Sequence, residues 1–130
     1  MKKRLRIILM GGLGLLCFSS CYYDQLVEEE IPDIPIDEPI SFRDDIQPLF
    51  IRSDGDCTTC HNGNVANPDL TEGNAYDAIV PEYVVIGDSE NSQFFRELPG
   101  NNHPVDAGFV LTVDEIALIK GWIDRGAENN

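Results

Sequence analysis

The residues with the clearest chemical potential are two cysteines and a histidine in the run Cys57-Thr58-Thr59-Cys60-His61. Two thiols separated by two residues can each form a thioether bond with one vinyl group of a porphyrin, and the adjacent imidazole can then ligate the iron. This spacing is typical of c-type haem attachment. The sequence therefore predicts one covalently attached haem c, held by Cys57 and Cys60, with His61 as the proximal ligand of the iron.

The same three residues admit two haem-free interpretations. Cys57 and Cys60 match the spacing of a redox-active dithiol, and with His61 they match part of a zinc site. A redox pair normally lies between a strand and a helix, a context that the sequence does not predict here. A zinc site lacks a clear second pair of ligands. Both interpretations are therefore alternatives to the haem.

The other two cysteines lie in an N-terminal segment that is typical of export. Residues 1–6 are basic, residues 7–18 are apolar but too short to span a bilayer, and Ser19-Ser20 precede Cys21. This order resembles a bacterial lipoprotein signal, which predicts removal of residues 1–20 and lipid attachment to Cys21. Cys17 is the alternative lipid site, although the preceding Leu16 is large for a cleavage position. We expect a cell-envelope protein, an outer-membrane lipoprotein that faces the periplasm or the cell surface.

Cleavage at this point would leave a strongly acidic chain. Four of the nine basic residues lie in residues 1–20, so five basic residues would remain against 23 acidic ones, a formal net charge of −18. This charge excludes nucleic acid as a partner and disfavours an anionic membrane surface. We expect a redox protein partner with a basic or neutral docking face, and contact with the membrane through the lipid anchor.

The acidic, proline-rich residues 21–40 are predicted to form a tether. Like charges repel each other and proline favours extended polyproline II structure, so this segment would hold residues 41–130 away from the membrane. Its isoleucines could instead pack on the domain.

Helical patterns predominate in residues 41–130. Ser41 is a good N-cap for a first helix, although Pro48 falls inside that pattern, where it would bend or end the helix. Thr71, and either Asp88 or Ser89, could cap two short helices. Thr112 precedes the most strongly patterned helix. A capping glutamate follows at Glu115, Gly126 ends the helix, and an apolar stripe is formed by Ile116, Ile119, Trp122 and Ile123.

These features together resemble single-haem cytochrome c domains of the class I type in exported bacterial proteins. Such domains often end in a series that stands here as Leu111-Thr112, Glu115-Ile116, Trp122-Ile123 and Gly126-Ala127. The resemblance covers residues 41–128. It implies an all-α, small cytochrome c-like helical domain wrapped around one covalent haem, with the N- and C-terminal helices packed together. It also implies that the Pro68 carbonyl orients the His61 ring.

The chain departs from this pattern at the sixth iron ligand. Such domains commonly use a methionine before the last helix, but the two methionines here are Met1 and Met10, and Val105 stands where the sulfur would be. His103 is the only other histidine and could supply a second axial imidazole. The site could also be five-coordinate and open, or filled by Lys120 or by a group from outside the chain.

The sequence therefore predicts a monohaem c-type cytochrome that transfers single electrons between envelope proteins and performs no substrate chemistry. The alternative is a haem enzyme, or a sensor of gases or peroxide, with an open sixth coordination position. The ligation of His103 distinguishes these two functions.

Overall fold

A computed structural model describes residues 30–130. The predicted signal peptide and the predicted lipid site at Cys21, with its alternative Cys17, lie outside the described residues. From residue 30 onward, no helix is both long and apolar enough to cross a membrane.

Loops and short helices make up most of the described chain. Two antiparallel strands, β1 (Ile51–Arg52) and β2 (Gly55–Asp56), pair Ile51 with Asp56 and Arg52 with Gly55. The α-helices in this part of the chain are α1 (Ala75–Ile79), α2 (Gln93–Arg96) and α3 (Val113–Asp124). A π-helical turn, Phe42–Ile46, and two 3₁₀ turns, Gln47–Phe50 and Cys57–Thr59, complete the regular structure.

The predicted all-α, cytochrome c-like helical fold is therefore wrong. About 33% of the described residues are helical, and a small antiparallel sheet precedes the cysteine motif. Proline is the main physical reason, since it lacks an N–H and its ring clashes with the preceding turn of an α-helix. Pro48 replaces the predicted first α-helix by a π turn and a 3₁₀ turn, and Pro81 follows directly after the end of α1 at Val80.

Helix α3 confirms the prediction made for it. Thr112 Oγ1 accepts a hydrogen bond from Glu115 N at 3.3 Å, and Glu115 Oε2 accepts one from Thr112 N at 2.7 Å, which completes a capping box. At the other end, Gly126 has φ of 115°, a conformation that glycine adopts without strain. The capping box and Gly126 thus mark the two ends of α3, which is the longest element of the described domain.

The hydrophobic core lies between α3 and the π turn. Trp122, Ile119 and Ile123 of α3 are buried, as are Ile46 of the π turn and Phe50 of the 3₁₀ turn that follows it. The centroids of the Phe42 and Trp122 rings are 5.2 Å apart. The core thus packs the N-terminal end of the domain, which is not an α-helix, against the C-terminal helix α3.

Candidate functional site

The cysteine motif is folded as a single tight turn. Asp56 Oδ1 accepts hydrogen bonds from Thr58 N at 2.9 Å and from Thr58 Oγ1 at 2.6 Å, and so caps the 3₁₀ turn Cys57–Thr59. The carbonyl of Cys57 then accepts the N–H of Cys60 at 3.2 Å and that of His61 at 2.8 Å. This turn brings both cysteines and His61 to the wall of one cavity.

The His61 ring is held by the loop that follows it. His61 Nδ1 lies 3.1 Å from the Pro68 carbonyl oxygen, which is the contact that the resemblance implied. Because a carbonyl oxygen only accepts, this hydrogen bond requires the proton on Nδ1, so that in the neutral ring Nε2 carries the lone pair. Histidines that ligate metals are usually fixed in this way by a second hydrogen bond.

Backbone and side-chain bonds keep this loop in place. Leu70 N donates to the His61 carbonyl at 2.9 Å, and the buried Gln47 amide donates to the Leu70 carbonyl at 3.2 Å. Asp69 Oδ1 accepts from Thr71 Oγ1 at 2.6 Å and from Thr71 N at 3.0 Å. These bonds hold the pKa of Asp69 below its ordinary value, so the carboxylate remains charged and bonded beside Pro68 at neutral pH.

His103 lies on the wall of the same cavity. The centroids of the His61 and His103 rings are 6.1 Å apart, with an angle of 76° between the ring planes. His103 Nδ1 lies 2.7 Å from the Val105 carbonyl oxygen, so by the same reasoning the lone pair of the neutral ring lies on Nε2. The sequence did not indicate this role for Val105, whose side chain is 64% exposed and whose carbonyl fixes the ring.

The cavity is mainly apolar. Its volume is about 540 Å³, within the roughly 300–1,000 Å³ that is common for ligand sites. Its walls come from the 3₁₀ turns on either side of the hairpin, the loop after His61, α2, the loop before α3, and α3 itself. The large apolar residues that line it are Leu49, Phe50, Leu70, Phe94, Leu98, Phe109, Leu111 and Ile119.

A network centred on Arg52 braces one side of this cavity. The Arg52 guanidinium bonds Asp54 at 2.6 Å and Glu115 at 2.7 Å, and lies 5.8 Å from the centroid of the Phe109 ring. Glu115 belongs to the capping box of α3, so Arg52 links the hairpin before Cys57 to the start of that helix. The hydrogen bond that Arg52 donates to Asp54 and the charges of the nearby carboxylates raise the pKa of Arg52 and more than offset its partial burial.

The residues on the cavity wall fit a haem c. Two imidazoles that ligate one metal from opposite sides, with bonds of about 2.0 Å and about 1.1 Å from ring centre to nitrogen, have centroids roughly 6 Å apart. The spacing of His61 and His103 agrees with this value, and both cysteines border the same apolar space. These residues would therefore hold a haem c, with both histidines available to ligate its iron.

The haem-free interpretations fit these residues less well. Burial, with a smaller contribution from Asp56, raises the pKa of the Cys57 thiol, whereas redox-active cysteines usually have a lowered pKa. Among residues 30–130, no three or more His, Cys, Asp or Glu side chains are grouped to hold a metal ion. Cys57 and Cys60 are both free thiols, the first half-buried and the second exposed.

Lys120, another candidate for the sixth ligand, is engaged elsewhere. Its Nζ donates to Asp124 Oδ2 at 2.7 Å, and this bond raises the pKa of the ammonium group. A protonated amine has no lone pair for a metal. Lys120 is also not among the residues that line the cavity.

No protein-family model matched the sequence, and neither the curated proteins nor the solved structures gave a match.

Proposed function

We propose that this protein binds one haem c and transfers single electrons. In this proposal Cys57 and Cys60 would hold the porphyrin through thioether bonds, and His61 and His103 would ligate its iron. The single observation that carries the proposal is the pair of histidines on the wall of one apolar cavity, each with Nδ1 on a backbone carbonyl. The bound haem would supply a one-electron iron couple.

The chain's own residues would then hold the ring and exclude water from it. Phe50, Phe94 and Phe109 would contribute apolar surface, and the carbonyls of Pro68 and Val105 would fix the two imidazoles. Two nitrogen ligands favour a lower reduction potential than a histidine and a methionine, because the soft thioether sulfur stabilises Fe(II).

The placement of His103 favours an electron carrier over a haem enzyme or sensor. A ring that occupies the sixth position leaves the iron without an open coordination site for a substrate or gas. An open, five-coordinate site is the second candidate function, since a loop histidine can also stay away from the iron. The two are separated by adding carbon monoxide to the reduced protein.

The cellular setting of the proposal is the bacterial envelope. Lipid on Cys21 would anchor the protein, and the high negative charge would attract a redox partner with a basic docking face. Export also fits covalent haem attachment, which takes place outside the cytoplasm.

Covalent attachment is tested by expressing the full chain in a host that matures c-type cytochromes. The expected result is a band that keeps its haem stain after denaturing electrophoresis and loses it in the double variant Cys57→Ser, Cys60→Ser. The matched control is Thr58→Ser with Thr59→Ser, which leaves both thiols in place. An unstained wild-type band in that host would overturn the proposal.

Ligation is tested by the absorption spectrum of the same protein. A six-coordinate, low-spin spectrum that does not change quickly with carbon monoxide is expected for the carrier. Rapid carbon monoxide binding with a high-spin spectrum would instead support the open-site function.

A further inference from the structure

The segment that precedes the domain is bound to the C-terminal end of α3. Arg125 follows α3 directly, and its guanidinium donates to three backbone carbonyls of that segment. Nη1 bonds Glu38 O at 2.5 Å, while Nη2 bonds Ile34 O at 2.6 Å and Pro35 O at 3.1 Å. These partners are 87–91 residues away along the chain.

The carbonyls are gathered by a turn in the segment itself. Glu38 N donates to the Pro35 carbonyl at 3.0 Å, so the chain reverses between these residues and presents its oxygens on one side. A planar guanidinium with five N–H donors matches such a cluster, whereas the smaller ammonium of lysine acts as a point charge.

Apolar contacts reinforce this bond. Ile40 is buried, and Ile34 is half-buried against the core. Gly121 allows this approach, because a Cβ atom there would lie only 2.8 Å from Ile40 Cδ1 and 3.7 Å from Ile34 Cδ1. Part of the predicted tether therefore packs on the domain.

The segment and the haem cavity use different faces of α3. Asp114 and Leu118 line a small cavity of about 330 Å³ beside residues 32–40, whereas Ile119 lines the haem cavity. At 100° per residue, Ile119 points roughly 130° away from the face that carries Leu118 and Gly121.

We infer that the hydrogen bonds of Arg125 fix residues 34–38 on α3, a contact called the latch below. The chain from the predicted tether then arrives on one face of α3, and the haem cavity lies on another. If the lipid lies on Cys21, residues 21–33 then form the spacer. Its fully extended reach is about 40 Å, against about 60 Å for residues 21–40. The effect on membrane distance rests on the proposed lipid anchor, but the latch itself does not.

The latch is tested by hydrogen exchange on the full chain, comparing wild type with Arg125→Ala. The variant should exchange faster in peptides covering residues 34–40, while the visible spectrum stays unchanged. Arg96→Ala is the matched control, because it removes the same charge from an exposed position at the end of α2. Unchanged exchange in residues 34–40 of Arg125→Ala would overturn the latch.

A second variant covers the possibility that Arg125→Ala folds poorly. Ile34→Asp weakens the contact from the side of the segment and leaves Arg125 in place, so it should release the same residues. Slow exchange in this variant would also contradict the inference. Mass spectrometry of the acyl chains on Cys21 tests the anchor separately, so failure of one proposal is distinguishable from failure of the other.

Discussion

At the scale of single residues, the site depends on two histidines whose rings each contact a backbone carbonyl. His61 and His103 each place Nδ1 against a carbonyl, of Pro68 and Val105 respectively. A residue two positions along the chain thus orients His103, whereas a residue seven positions along orients His61. Since only the carbonyl of Val105 is used, its exposed side chain can vary without loss of the bond.

If the protein binds haem c as proposed, replacement of His103 should change the ligation of the iron without loss of the haem. His103→Ala should keep its haem stain, become partly high-spin and bind carbon monoxide after reduction. His103→Met should raise the midpoint potential if the sulfur reaches the iron, because a thioether favours Fe(II). Absorption spectra and a redox titration measure both effects.

The control for these variants is Asn102→Ala, which alters the exposed neighbour of His103. A spectrum and potential equal to those of wild type are expected there. If His103→Ala also retained a wild-type low-spin spectrum, another group would be the sixth ligand.

The pattern of residues predicted the parts of the site that are local in sequence. The cysteine motif and the capping box of α3 each involve residues less than ten positions apart, where spacing constrains geometry, and the Pro68 contact was implied by the resemblance. The contacts of Arg125 with residues 34–38 and of Arg52 with Glu115 join distant parts of the chain. Such pairs depend on the packed fold, which short-range periodicity does not describe.

At the scale of elements, α3 is positioned by its N-terminal cap as well as by its buried face. Glu115 closes the capping box and also binds Arg52 at 2.7 Å. The cap therefore connects the start of α3 to the hairpin before Cys57. The prediction for α3 was correct because its cap and its apolar stripe indicate the same helix. At the predicted first helix, by contrast, Pro48 opposes the apolar pattern.

Loss of the cap should destabilise the domain measurably. Thr112→Ala removes the hydroxyl that accepts Glu115 N–H, and such N-cap changes cost about 1 kcal/mol in free energy of unfolding. Urea denaturation followed by circular dichroism measures the loss. Asp77→Ala, at an exposed position within α1, should have a much smaller effect, and an equal loss in both variants would contradict the role of the cap.

At the scale of the whole molecule, the chain carries an excess of negative charge, although individual carboxylates such as Asp124 are stabilised by hydrogen bonds. Burial tends to raise the pKa of Asp124, but hydrogen bonds from Lys120 and from Ser89 N–H outweigh it and leave the pKa below its ordinary value of 3.8. Because the unfolded chain binds the proton more readily, Asp124 contributes stability above that value. The contribution is lost as the pH falls through the lower pKa of the folded state.

We expect Asp124→Asn to lower the urea midpoint at pH 6 and to reduce its fall between pH 5 and pH 3. Both effects follow from removing a group whose folded-state pKa is lowered. Asp77→Asn is the control, with an unchanged midpoint at pH 6. A variant that keeps the full wild-type dependence between these two pH values would show that Asp124 contributes little to acid unfolding.

If His61 and His103 both ligate a haem iron as proposed, the angle of 76° between their ring planes has a magnetic consequence. Imidazoles that lie nearly at right angles on opposite sides of a ferric haem act on different iron d orbitals and leave two of them close in energy. The low-spin electron then has a strongly axial magnetic moment. Frozen oxidised protein should show one dominant large g value in its electron paramagnetic resonance spectrum, whereas parallel rings would give three well-resolved g values.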